Sequence, residues 1–92
     1  MIVKSLKVQN RLGVHARPAG QIVDITSKSA SEVFMVYEDT RANAKSILNV
    51  MMLAIIPDSS VQFEVVGEDE EETMVALEEL FNNRFYEDDE EN

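Results

Sequence analysis

The run Val61-Gln62-Phe63-Glu64-Val65 alternates apolar and polar residues without a break, and this narrows the available folds most. A strand of that period hides one face and wets the other, so it belongs to a sheet covered on one side. Gly67 ends the strand. A helix then starts near Asp69, whose acidic first turn Glu70-Glu71-Glu72 complements the helix dipole. Met74, Leu77, Leu80 and Phe81 recur at spacings of three and four and form its buried stripe. Phe85 and Tyr86 are placed to pin the helix end before the acidic stretch Glu87-Asp88-Asp89-Glu90-Glu91.

The upstream chain fits around this unit. Ile2 to Gln9 alternates imperfectly, with Ile2, Leu6 and Val8 on one side, and suits a half-buried strand. From Ala16 to Ser27, Ala19, Ile22, Val23 and Thr26 recur at helical spacing. Glu32 to Tyr37 is rich in β-branched and aromatic residues and reads as a strand. Glu38-Asp39 then makes a turn without the glycine that best fits a tight hairpin, leading into a short edge strand over Thr40 to Asn43. Ser46 is the natural N-cap of a helix that Pro57-Asp58 stops. The order β-α-β-β-α-β-α is an α+β pattern, an antiparallel sheet covered on one face by helices.

With 92 residues and no cysteine, the chain is one small domain without disulfides, thiolate metal sites or cysteine nucleophiles. A formal charge of -10 argues against nucleic acid as a partner. That charge is segregated. Residues 1–23 hold Lys4, Lys7, Arg11 and Arg17 and no acid, whereas fourteen acids and one base, Arg84, lie from Asp58 onward. The two acid-poor segments, 1–23 and 40–57, are able to share one positive or neutral face. No signal-peptide pattern and no membrane-spanning apolar run is present, so a cytoplasmic protein without membrane insertion is the expectation.

Two stretches carry chemistry. Gly13-Val14-His15-Ala16-Arg17-Pro18-Ala19 holds the only histidine. Pro18 favours the first turn of a helix, and Gly13 permits a left-handed turn just before it. The picture is an imidazole at a helix mouth, facing free backbone N–H groups with a guanidinium alongside, a place that holds an anion well. A lone loop histidine is, by itself, most often a plain surface residue. No cluster of histidines or cysteines suggests a metal, and no cofactor is called for. The second stretch is the helix after Ser46. Val50, Leu53 and Ala54 supply its one buried stripe, leaving Ile47, Leu48, Met51 and Met52 over as a docking patch or a plug at the core edge.

Gly13-Val14-His15-Ala16-Arg17-Pro18-Ala19, together with Lys45-Ser46-Ile47-Leu48-Asn49-Val50-Met51, closely resembles the HPr family, the histidine-containing phosphocarriers of the sugar phosphotransferase system. The resemblance spans residues 2 to about 84 and includes the separation of the two motifs. It implies an open-faced β-sandwich, four antiparallel strands covered on one face by three helices, with residues 1–86 as the domain and 87–92 as a disordered acidic tail. It implies that His15 is phosphorylated on Nδ1 from phosphoenolpyruvate through enzyme I, and that the group passes to enzyme IIA domains. Arg17 would assist the phosphohistidine, and the helix start at Ala16, Arg17 and Pro18 would cradle the phosphate. Ser46 matches a serine modified by an HPr kinase/phosphorylase, which brings a transcriptional regulator in as a further partner. Ile47, Leu48 and Met51, with Met52, match the partner-contacting patch. Such a carrier is a monomeric substrate of partner enzymes and not itself an enzyme. The sequence departs from the family pattern at Asn49 and Ala54, where glycine is common, at Glu38-Asp39, and in its acidic extension. The competing readings are a regulatory HPr paralogue acting through Ser46 and the docking patch, and an acidic binding module in which His15 is incidental.

Overall fold

The computed structural model describes residues 1–87. The elements are β1 (Ile2–Lys7), α1 (Ala16–Ser27), β2 (Glu32–Tyr37), β3 (Thr40–Asn43), α2 (Ile47–Met52), β4 (Ser60–Val66) and α3 (Glu70–Asn82). All strands pair antiparallel, in the order β1-β4-β2-β3, which puts β3 at an edge as expected and β4 in the interior. The fold is the α+β open-faced sandwich.

Alternation in β4 does the work anticipated for it. Val61, Phe63 and Val65 are fully buried, and the register sets Phe63 between Lys4 of β1 and Met35 of β2. The helices cover that face, with the Phe81 ring of α3 edge-on to Phe63 at 5.5 Å. Residues of the opposite parity face outward. There Arg41 lies 3.7 Å over the Phe34 ring and pairs with Glu64 at 3.0 Å. Expected helix stripes are buried as well: Ala19, Ile22 and Thr26 in α1, with Val23 only partly buried, and Met74, Leu77, Leu80 and Phe81 in α3.

Two local expectations need correction. β1 ends at Lys7 and not Gln9, although Val8 still exchanges backbone hydrogen bonds with Ser59 and Asp58. α2 is shorter than its apolar run. Leu53 is its C-cap and Ala54 takes φ +53, so the chain reverses before Pro57 is reached. Ala54 is consequently exposed and Ile55 enters the core in its place. The Glu38-Asp39 turn is built from two non-glycine residues at φ +48 and +69, a mirror-image hairpin turn in which the aspartate tolerates the left-handed region.

One polar cluster fastens α1, β2 and α3 together. Ala30 N–H donates to Asp69 Oδ2 at 2.9 Å, while the Ser31 and Ser29 hydroxyls donate to Oδ1 at 2.5 and 3.0 Å. Gly67 lets the chain pass this close, because a Cβ there would lie 2.5 Å from Ser31 Oγ. The Ser31 bond, and next the Ala30 amide, hold the Asp69 carboxyl down at about 2 from an ordinary 3.8. The folded state therefore favours the ionised form. The stabilisation is full above pH ~3.8 and is lost as pH falls toward ~2. Thermal melts of wild type should lose Tm steeply between pH 4 and 2, whereas Asp69→Asn, less stable at neutral pH, should show a flatter acid limb.

Candidate functional site

The loop before α1 is tied down before the site begins. Gly13 sits at φ +74 with its Cα so close to the segment after α2 that a Cβ would stand 2.6 Å from the Ile55 carbonyl oxygen. Val14 N–H donates to that same oxygen at 3.1 Å, and the buried Asn10 side chain donates to Gly13 O at 2.8 Å. His15 follows as the N-cap of α1, extended at φ -93 and ψ -164, with its carbonyl accepting from Ala19 N–H. The imidazole makes no capping hydrogen bond to the helix, and no acid stands in the first turn. The amides of Ala16 and Arg17 are thus left for an anion. Pro18, third in the helix, supplies preset φ and no N–H, so it shapes the cradle without donating to it.

Glu87, the first residue of the expected acidic tail, lies against His15. Glu87 Oε2 lies 2.8 Å from His15 Nε2, and Asn10 Nδ2 donates to Glu87 Oε1 at 2.8 Å. Arg17 Nη1 is 3.9 Å from the same Oε2. The Glu87 side chain is only 8% exposed, against 37% for His15. Glu87 is therefore placed by the fold, while the tail expectation for residues 88–92 lies outside the described residues. The only hint in the sequence was the Phe85-Tyr86 pair before it. Phe85 is indeed buried, 4.7 Å from Phe81 ring to ring, whereas Tyr86 is exposed.

The second motif sits against the first. Ser46 caps α2 by accepting from Asn49 N–H at 3.2 Å. Ile47, Leu48, Met51 and Met52 are between 41% and 74% exposed, so the surplus apolar residues do face solvent and do not plug the core. The junction is close: a Cβ on Gly20 of α1 would meet Ile47 Cδ1 at 3.7 Å, one helical turn beyond Arg17. Two further exposed apolar residues, Leu12 and Ile56, were not singled out from sequence. They lie on the two loops that Gly13 brings into contact. Among the described residues, no group of histidine, aspartate or glutamate side chains is arranged to hold a metal, and no helix is long and apolar enough to cross a membrane.

A family model described as "PTS HPr component phosphorylation site" matches residues 2–83. The chain belongs to the HPr family. The phosphocarrier protein HPr of Treponema pallidum is 44% identical over 88 residues, 96% of this chain and 100% of that protein. The HPr-like protein Crh of Halalkalibacterium halodurans is 38% identical over 77 residues, 84% of this chain and 92% of that protein. The crystal structure of HPr-C-His from Thermoanaerobacter tengcongensis superposes with a TM-score of 0.91 at 34% identity, covering 96% of this chain and 99% of the other. Membership supports a phosphocarrier role in the phosphotransferase system, with partners of the kind that HPr proteins serve. The HPr-type loop depends on glycine at position 13. Gly13→Ala meets both a left-handed φ and the Ile55 carbonyl, so urea unfolding should show a loss of more than about 1 kcal/mol.

Proposed function

We propose that this chain accepts a phosphoryl group on Nδ1 of His15 from phosphorylated enzyme I and hands it to enzyme IIA domains. The observation that carries this reading is the placement of His15. Its ring stands half-exposed at the mouth of α1, beside Arg17, with the helix amides not consumed by a side-chain cap. In the transfer, the Nδ1 lone pair forms a bond to phosphorus as the donor's bond to phosphorus breaks, and its electron pair returns to the donor. The Ala16 and Arg17 amides and the Arg17 guanidinium offset the dianionic charge that arrives. A helix terminus contributes only ~0.3–1 kcal/mol in such a setting. That weakness suits a carrier, since each ~1.4 kcal/mol of extra stabilisation would bias the exchange tenfold against release. The protein is a substrate of its partners, acts as a monomer in the cytoplasm and uses no cofactor. Ile47, Leu48, Met51 and Met52 form the dry part of the surface that those partners cover.

The Ser46 hydroxyl supports a regulatory layer on the same surface. It caps the helix that displays the patch, so a phosphate there adds about -1.5 to -2 charge at a helix start that tolerates it. The same charge repels an acidic or phosphorylated partner approaching Ile47 and Leu48. An HPr kinase/phosphorylase would write this mark, and a transcriptional regulator would read it. The likeness to the HPr-like protein Crh favours, as the second reading, a paralogue working through Ser46 and the patch without feeding sugar transport.

Incubation with phosphoenolpyruvate and enzyme I should place acid-labile label on the wild type and none on His15→Ala; absence of wild-type label would remove the carrier reading. Ser46→Asp should lower the initial rate of His15 labelling at least severalfold with little change in fold. An unchanged rate would exclude the charge switch.

A further inference from the structure

We propose that Glu87, held in place by Asn10, is a positioning residue that keeps the His15 proton on Nε2 and the reactive lone pair on Nδ1. The proposal rests on the reading of His15 as phosphoryl acceptor. Three independent features of the geometry support it. First, the carboxylate is shared: Oε2 faces His15 Nε2 at 2.8 Å and Oε1 accepts from Asn10 Nδ2 at 2.8 Å. A carboxylate accepts only, so the ring nitrogen facing it carries the hydrogen, and the other nitrogen is left as the nucleophile.

Second, Asn10 is fully buried at a cost. Its Nδ2 group spans Gly13 O and Glu87 Oε1, while its Oδ1 is buried without a hydrogen-bond partner among the described residues. A buried polar atom left unpaired is unfavourable, and the amide's two bonds are what that burial secures. Third, Glu87 reaches the site through a strained turn. Arg84, Phe85 and Tyr86, none of them glycine, take φ of +54, +56 and +57. Left-handed backbone is unfavourable for each of these residues. The burial of Phe85 against Phe81 and the bond from Gln21 Nε2 to Phe85 O hold the turn closed. The outcome of that strain is a chain folded back from the end of α3 onto the start of α1.

The chemistry benefits in both directions. When Nδ1 bonds to phosphorus, the ring carries hydrogen on Nε2 and becomes cationic, and the Glu87 carboxylate neutralises it from the far end of the ring. When the group leaves, the N–P electron pair returns to Nδ1 and the same neutral tautomer is restored. No proton has to leave or arrive in either step, so the exchange stays reversible.

The test uses the full chain with 15N-labelled histidine. Wild type should show a resolved hydrogen bonded to Nε2 of His15, protected from exchange with water. Glu87→Ala should lose that signal to fast exchange, with Tm little changed and the initial rate of His15 labelling by phosphoenolpyruvate and enzyme I reduced at least severalfold. Asn10→Ala, which frees the carboxylate without removing it, should weaken protection and rate to an intermediate degree. A Glu87→Ala protein with a protected Nε2 hydrogen and wild-type labelling rate overturns the proposal. If protection depends on Glu87 while wild type takes no label, the positioning role stands and the carrier reading falls.

Discussion

Three aromatic rings hold this molecule in register with itself. Phe63 stands in the middle of β4, an interior strand of the sheet, and Phe81 of α3 meets it edge-on at 5.5 Å. Phe85 then meets Phe81 at 4.7 Å. Such pairs contribute about 0.5–1.5 kcal/mol each beyond the apolar area they bury. Their larger consequence is positional. The first contact lays α3 across the sheet, and the second folds the chain back beyond the helix end, which is how Glu87 comes to face His15. A small core of this kind cannot separate stability from geometry, because the rings that hold the last helix down also deliver a charge to the site.

The site itself is a meeting of segments far apart in the chain. His15 comes from the start of α1, Asn10 from the loop before it, and Glu87 from beyond α3, while Ile47 of α2 rests near Gly20. Positive potential from the α1 amides and Arg17 and the negative Glu87 carboxylate meet at the imidazole, with Arg17 Nη1 3.9 Å from the oxygen that faces Nε2. Opposed fields of this sort suit a group that must gain and lose charge repeatedly. The apolar patch alongside carries no charge of its own, so the proposed function divides partner binding and phosphate handling between neighbouring helices.

Most of the secondary structure was legible because it depends on near neighbours in sequence. Alternation in Val61 to Val65, the 3.6-residue spacing in α1 and α3, and the Ser46 cap are all short-range signals, and each element formed where its pattern stood. Legibility failed where the backbone left the ordinary regions without glycine to announce it. Ala54 at φ +53 cut α2 short and sent Ile55 into the core, and Arg84 to Tyr86 reversed the chain in the left-handed region. An L-residue in that conformation is held by contacts made elsewhere, so its own identity reveals nothing.

The antiparallel α+β pattern, the pairing of His15 with Arg17 at a helix start, and the excess of apolar residues after Ser46 are all written in the order of the residues. Local periodicity and residue chemistry suffice for these. That Glu87 leaves the acidic run and closes on His15 across a separation of 72 residues follows from the packing of the folded chain. The reason is that this contact is set by how α3 lies on the sheet and by the burial of Phe85, and an acidic residue beside four more acids looks the same whether it is solvated or held.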